Sequence, residues 1–103
     1  MIREFFLGFI KIHILHHASE RSVYGAWLIR ELARHGYNLS PGTLYPTLHA
    51  LEQEGYLSKQ VRVVEGRQRK YYRITAQGQM VLAEAREKMI ELVREVLRAE
   101  VYS

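Results

Sequence analysis

The segment of residues 40–57 constrains the fold more than any other part of the chain, because it has the pattern of one short helix with a marked end. Leu44, Leu48 and Leu51 follow one another at steps of four and three residues, which places them on one buried face of a helix. Gly55 favours a helix end, since glycine readily adopts the left-handed conformation that follows many helices. We therefore predict a helix that buries these leucines and ends at Gly55.

Two starts fit this helix. With Ser40 as the cap, Pro41 takes the first helical position, which suits proline, but Pro46 then removes one hydrogen bond from the helix interior. With Thr43 as the cap, Pro46 lies in the first turn, where its missing N–H costs nothing. The sequence favours the start at Thr43.

A basic β-hairpin is predicted directly after this helix. Residues 57–64 and 69–74 have the composition of strands, and Glu65-Gly66 between them is a hairpin turn signal. Residues 58–73 carry six basic side chains and one acidic side chain, so they contribute +5 to a chain whose total charge is +4. Concentrated positive charge predicts a polyanionic partner, although charge also protects an exposed hairpin edge from aggregation.

Three more helices are expected. Apolar residues recur at helical spacing in residues 2–17 and 76–101, and residues 23–35 complete the set, with Ser22 and Thr75 as caps. The element order is then α-α-α-β-β-α. Such an order, with a capped helix before a basic hairpin, is typical of the winged helix-turn-helix, which most often binds double-stranded DNA.

We therefore predict an α+β fold, mainly α, in two parts. Residues 1–74 form a winged helix-turn-helix DNA-binding domain. Residues 75–103 form a C-terminal dimerisation helix that packs with the helix of residues 2–17.

The last helix has a wide apolar pattern about 26 residues long, which is more than a small three-helix core can cover. One explanation is that this helix folds back on its own domain. We favour a dimer interface, because a second copy would cover the same surface. The residues expected in that interface are Phe5, Phe9, Leu82, Met89, Leu92, Val93, Val96 and Leu97.

Composition argues against an enzyme. The chain has no cysteine and no aspartate, and it shows neither a nucleophile motif nor a glycine-rich phosphate loop. The apolar run of residues 5–10 stops at Lys11, far short of the roughly 20 residues that a membrane span needs. No signal-peptide cleavage site follows it. We expect a cytoplasmic protein of one domain that has no contact with a membrane.

The motifs identify a family resemblance. The run Ser-Pro-Gly-Thr-Leu-Tyr-Pro-Thr-Leu at residues 40–48, with Leu-Glu at 51–52 and Glu-Gly at 54–55, resembles the signature of PadR-type transcriptional regulators. Gly66-Arg67 and the run from Arg69 to Thr75, followed by Gly78, are similar to the wing and helix start of that family. The single last helix resembles the short branch of the family. The resemblance implies a dimeric bacterial or archaeal repressor that binds an operator, with ligand response in some members.

The third helix is expected to lie in the major groove, and the hairpin is expected to act as the wing. The third helix would present Ser40, Thr43, Tyr45, Pro46, Thr47 and His49 to the DNA. This surface has no lysine or arginine, so shape and methyl contacts would carry much of the specificity. The wing would contribute Arg67, Gln68, Arg69 and Lys70. Tyr45 has an alternative role as a partly buried core residue.

Histidines and the single tryptophan suggest an effector. His13, His16 and His17 share a helix face at i, i+3 and i+4, so they could bind a divalent metal with a further ligand from elsewhere. They could equally be ordinary interface or partly exposed polar residues. Trp27 could be one wall of a pocket for a small-molecule effector, or it could simply pack against the core.

These observations predict a sequence-specific DNA-binding regulator, a repressor that binds a palindromic operator as a homodimer. Its effector would be a small molecule or a metal, and a metal-responsive repressor is one alternative. The alternative from another class is a winged-helix module that binds an acidic protein. A DNA titration at two salt concentrations separates these classes.

Overall fold

Four helices and one β-hairpin make up residues 2–102 in a computed structural model, which describes the side chains of residues 2–98. The elements, in chain order, are α1 (Ile2–Glu20), α2 (Gly25–Arg34), α3 (Pro41–Gln53), β1 (Leu57–Val64), β2 (Arg67–Ile74) and α4 (Ala76–Tyr102). The predicted mainly helical fold and its element order are confirmed. None of the helices within this range combines the length and apolarity that crossing a membrane requires.

Helix α3 begins at Pro41, so the favoured start at Thr43 is wrong. Ser40 is extended (φ −80°, ψ 157°) and acts as the cap. Its carbonyl oxygen accepts hydrogen bonds from the backbone N–H groups of Thr43 at 3.1 Å and Leu44 at 3.0 Å. The earlier start gains these bonds, which offsets the one that Pro46 removes inside the helix.

Helix α2 begins two residues later than predicted, because Val23 pairs with the hairpin instead. The Val23 N–H donates to the Tyr72 carbonyl at 2.9 Å, and the Tyr72 N–H donates to the Val23 carbonyl at 2.7 Å. Tyr24, and not Ser22, is therefore the extended residue before the helix. This pairing adds a third backbone segment beside β2.

The core draws on every element of the fold. Leu44, Leu48 and Leu51 are buried, as the leucine pattern of the third helix predicted, and Leu28 of α2 is fully buried as well. Tyr72 and Ile74 close the core from the base of the hairpin. The end of α3 matches the predicted signal at Gly55, which adopts positive φ, and Gly36 after α2 also adopts positive φ.

The first turns of helix α4 pack against the core, and its later turns extend beyond the core. Its cap is Thr75, as predicted, because the Thr75 hydroxyl accepts the Gly78 N–H at 3.0 Å and donates to the Gly55 carbonyl at 2.6 Å. Leu82 is only 1% exposed within its own chain. Its predicted place in a dimer interface is therefore wrong, because its side chain is already covered. Beyond it, the large apolar side chains of α4 are exposed at Ile90, Leu92, Val93, Val96 and Leu97.

Helix α1 packs against α4 and is longer at its C-terminus than predicted. Ile10 and Ile14 enter the core, whereas the first turns remain outside it. The exposed apolar residues of those turns are Ile2, Phe5, Phe6 and Phe9.

Gly78 is required where α4 crosses the segment before β1. A Cβ atom at this position would overlap the Tyr56 carbonyl oxygen and approach Ile74 Cγ1 to 2.7 Å. We expect Gly78→Ala to lower the free energy of unfolding by about 1–3 kcal/mol, because overpacking against backbone cannot relax freely. Urea denaturation monitored by circular dichroism measures this. Gly42→Ala is the control, since its Cβ would meet only Ser40 Oγ at 3.7 Å. Equal stability of the two variants would contradict the prediction.

Candidate nucleic-acid interface

The register of the hairpin places all four of its arginines on one side. Arg62 is paired with Arg69, and alternation along each strand brings Arg67 and Arg73 to the same side. We name this side the arginine face, and it also carries Tyr71. A single strongly cationic surface results.

The opposite side of the hairpin is different in character. Tyr72 and Ile74 are buried there, and Lys59 lies 3.7 Å from Glu52 of α3, measured from Nζ to Oε1. Lys70 and Gln68 also fall on this side by register. The predicted wing residues therefore divide between two sides, with Arg67 and Arg69 on the arginine face.

The turn joining the strands has the predicted form. Glu65 has φ 53° and Gly66 has φ 75°, and two successive positive φ values are typical of the tight turns that join twisted hairpins. Strand β2 begins at Arg67, directly after the turn, which is two residues earlier than predicted. Arg67 is therefore an exposed strand residue at the distal end of the hairpin.

One stacked pair attaches the arginine face to Tyr24, the residue before α2, and a second pair lies within the face itself. The Arg69 guanidinium lies 4.2 Å from the centre of the Tyr24 ring, and the Arg62 guanidinium lies 4.5 Å from the Tyr71 ring. The two tyrosine rings meet edge to face at 5.5 Å. Such contacts at exposed sites contribute about 0.5–1 kcal/mol each, enough to favour one orientation of the hairpin.

Sequence reasoning did not single out Tyr24, Arg62 or Tyr71. The available signal was the alternation of Arg69, Tyr71 and Arg73, which places an aromatic ring between two cations on one side of a strand. Tyr24 carried no comparable signal, because its contact depends on the pairing of Val23 with β2.

A cleft of about 640 Å³ separates the hairpin from the helices. Tyr24, Gly25 and Tyr45 line its helical wall. The hairpin wall includes all four predicted wing residues, Arg67, Gln68, Arg69 and Lys70. Cationic side chains opposite a helix surface suit a strand of sugar and phosphate, whose charge the arginines would neutralise.

The exposed surface of α3 matches the prediction at most positions. Tyr45, Pro46 and His49 are exposed, and the hydroxyl oxygens of Ser40 and Thr43 lie 3.4 Å apart at the start of the helix. As the sequence indicated, these outward residues include no lysine or arginine.

Thr47 does not face outward, so its predicted contact with DNA is wrong. It is 8% exposed, and its hydroxyl donates to the Thr43 carbonyl at 2.8 Å. The reason is its position between Leu44 and Leu48, where the turn of the helix brings Thr47 to the edge of the buried face.

Tyr45 combines both roles considered for it. The residue is 45% exposed, yet its ring rests on Gly25 of α2. A Cβ atom at residue 25 would come within 2.5–2.7 Å of the Tyr45 ring and hydroxyl. Gly25 therefore allows the close approach that holds Tyr45 at the mouth of the cleft.

The histidines group differently from the prediction. His13 and His17 lie near His35, the residue after α2, whereas His16 falls in a separate group with His17 and Glu20. His16 Nδ1 is 3.4 Å from an Arg86 guanidinium nitrogen of α4. Burial lowers the pKa of His13 and of His17, and neighbouring histidine charges lower both pKa values further.

Trp27 packs against the histidines. Its ring meets His17 edge to face at 5.4 Å, and the Arg21 guanidinium lies 5.3 Å from its centre. A largely apolar cavity of about 360 Å³ lies nearby between α1 and α4, and Trp27 is not among the residues that line it. That lining consists of Phe9, Ile12, His13, His16, Tyr37, Leu82, Arg86 and Met89.

The chain resembles known transcriptional regulators in both sequence and fold. Residues 14–84 match the model of the transcriptional regulator PadR-like family. The chain is 55% identical over 96 residues to the transcriptional regulator Rv3488 of Mycobacterium tuberculosis, covering 93% of this chain and 90% of that protein. A PadR family transcriptional regulator from Eggerthella lenta superimposes with a TM-score of 0.84 at 31% identity, covering 100% of this chain and 91% of the other. A PadR-like transcription factor from Bacteroides fragilis gives a TM-score of 0.83 at 26% identity, with 94% and 95% covered.

The arginine face makes a testable prediction about salt dependence. We expect Arg67→Ala to weaken binding to duplexes of any sequence by similar factors. The slope of log affinity against log salt should become shallower by about 0.9 for each phosphate that the variant no longer neutralises. Fluorescence anisotropy with a random-sequence duplex over a range of salt concentrations measures both effects. Arg94→Ala, which removes the same charge from exposed α4, is the control. Unchanged affinity of Arg67→Ala for the random duplex would rule out this role.

Proposed function

Because this chain belongs to the PadR-like family of transcriptional regulators, we propose that it represses transcription by binding a palindromic operator as a homodimer. Regulators of this family bind DNA and are not enzymes. The observation that carries the proposal is the cleft between the exposed surface of α3 and the arginine face. It presents two chemically different surfaces to one duplex.

In this proposal, α3 lies in the major groove and selects the sequence. Tyr45, Pro46 and His49 face the bases, and the hydroxyls of Ser40 and Thr43 bond phosphates beside the start of the helix. Pro46 suits contact with a thymine methyl group. Without lysine or arginine on this surface, guanine has no bidentate cationic partner from α3, so groove shape and methyl contacts supply the selectivity.

The arginine face supplies affinity. Arg67 at the distal end reaches the flanking phosphates or a narrow minor groove, whose negative potential attracts arginine. Arg69 is held by Tyr24 and points its charge into the cleft. Gln68 and Lys70 fall on the other side of the hairpin by register but also line the cleft, where Lys70 adds to the positive charge.

A second copy of the chain is the partner that best fits the exposed apolar surface. Large apolar side chains on the first turns of α1 and the second half of α4 remain uncovered in one chain, and a surface of this extent commonly marks an interface. Two-fold pairing would bring the same surface from each chain together and would match two half-sites of a palindrome. The contributing residues are Phe5, Phe9, Met89, Leu92, Val93, Val96 and Leu97.

The experiment that tests this function begins with selection of tight-binding duplexes from a random library. We expect the selected sequences to share a palindrome, and analytical ultracentrifugation should find two chains on each duplex. A reporter gene with that palindrome across its promoter should be expressed less when the protein is present. Selection of no common sequence would overturn operator binding, and higher reporter expression would overturn repression.

The dimer surface gives a direct prediction. We expect the double variant Leu92→Glu/Val96→Glu to be monomeric at micromolar concentrations, because burying two carboxylates in an apolar interface is strongly unfavourable. Sedimentation equilibrium measures this, and circular dichroism checks that the chain remains folded. Met80→Glu is the matched control, since Met80 is also exposed on α4 but lies across the helix from Leu82. Dimerisation of the double variant at wild-type strength would exclude this surface.

Tyr45 gives a prediction about selectivity. We expect Tyr45→Ala to reduce affinity for a selected operator about tenfold or more, because a specific base contact is worth about 1–3 kcal/mol. Affinity for a random duplex should change by less than about twofold, because phosphate contacts dominate nonspecific binding. Anisotropy titrations on the two duplexes measure the ratio, and Tyr45→Phe separates the hydroxyl from the ring. An equal loss on both duplexes would contradict a selective role for Tyr45.

A further inference from the structure

Three histidines from two parts of the chain converge at the C-terminal end of α2. His13 and His17 lie one turn apart on α1, and His35 directly follows α2. One ring nitrogen from each lies within 4.8 Å of the others. We propose that His13, His17 and His35 form a binding site for a first-row transition metal ion such as Zn²⁺.

The environment of His17 gives the strongest evidence for a metal site. It is 8% exposed, and its Nε2 forms no hydrogen bond with any of the described residues. A buried polar atom left without a partner costs about 1–3 kcal/mol, so such atoms are rare unless they serve a purpose. Coordination of a metal ion by Nε2 would remove this cost.

Two of the three histidine rings have a glutamate carboxylate near one of their nitrogen atoms. Glu31 Oε1 lies 3.5 Å from His35 Nε2, and Glu20 Oε1 lies 4.0 Å from His17 Nδ1. Metal-binding histidines commonly direct one ring nitrogen to such a group and the other to the ion. The arrangement leaves Nδ1 of His35 and Nε2 of His17 for the metal, and the latter is the atom that lacks a partner.

The three nitrogen ligands determine which metal ions the site can bind. Three imidazole nitrogens suit Zn²⁺, Co²⁺, Ni²⁺ or Cu²⁺, whereas Mg²⁺ and Ca²⁺ require oxygen ligands. Burial and the neighbouring histidines lower the pKa of His13 and His17, although Glu31 and Glu20 oppose this at His17, and a lower pKa favours the neutral ring that binds metal. His16 remains with Glu20 and Arg86 and is not a ligand of this ion.

A modest rearrangement completes the site. Tetrahedral coordination with bonds of about 2.0–2.1 Å would bring the ligand nitrogens to about 3.3 Å from one another. His35 is exposed and stands on the link that follows α2, so its ring can rotate toward His13 and His17. The bound ion would then join α1 to the C-terminal end of α2, and its fourth position would be open to water or another ligand.

The test uses the whole chain of 103 residues without DNA, so its result is independent of operator binding. Zn²⁺ binding is measured by isothermal titration calorimetry, and Co²⁺ binding by the visible absorption bands of four-coordinate cobalt. We expect a single ion per chain and no binding of Mg²⁺. His35→Ala should weaken Zn²⁺ binding about tenfold or more and abolish the cobalt bands. Since His35 is exposed, this variant should remain folded, which thermal unfolding verifies.

Two histidine controls make the test specific. His49→Ala removes an exposed histidine of α3, outside the cluster, and His16→Ala removes the neighbour assigned to the other group. Both should bind Zn²⁺ within about twofold of the wild type, whereas His13→Ala should resemble His35→Ala. Wild-type binding by His35→Ala would overturn the site. The proposed site would also be overturned if His16→Ala or His49→Ala weakened Zn²⁺ binding as much as His35→Ala does.

Discussion

The backbone pairing between Val23 and Tyr72 sets the geometry on which the interface depends. Its two hydrogen bonds fix β2 against the segment before α2, so the hairpin cannot swing away from the helices without breaking them. The same pairing delays the start of α2 and leaves Tyr24 extended, which brings its ring against Arg69 and Tyr71. One short backbone contact therefore positions the arginine face, buries Tyr72 and forms one wall of the cleft.

In the proposed mode of DNA binding, affinity and selectivity come from different surfaces. The cations belong to the hairpin, where they would meet phosphates whatever the sequence, and the exposed residues Tyr45, Pro46 and His49 of α3 include no lysine or arginine. Gly25 adds a constraint of its own, because the absence of a Cβ lets Tyr45 rest on α2. Tyr45 is consequently held in place by packing within the chain, which would lower the entropy lost in the DNA contact proposed for it.

Helix α1 carries residues of both the proposed metal site and the proposed dimer surface. It contributes to the core through Ile14, packs against α4 and carries two of the three clustered histidines. His16 reaches Arg86 of α4, whereas His13 approaches His35 at the end of α2. An ion bound to His13, His17 and His35 would therefore act on the helix that also carries part of the proposed dimer surface.

The sequence by itself determined the elements and their order, because leucine spacing, glycine signals and the Thr75 cap act over only a few residues. It also located the wing and the outward residues Tyr45, Pro46 and His49, since helical periodicity fixes which side chains share a face. Contacts between distant segments were decided only by the tertiary structure. Val23 pairs with Tyr72 and His35 joins His13 through the folded chain, and no local pattern encodes such distances. The burial of Thr47 and Leu82 likewise depends on neighbouring elements, because periodicity gives a direction but not the depth to which a side chain is covered.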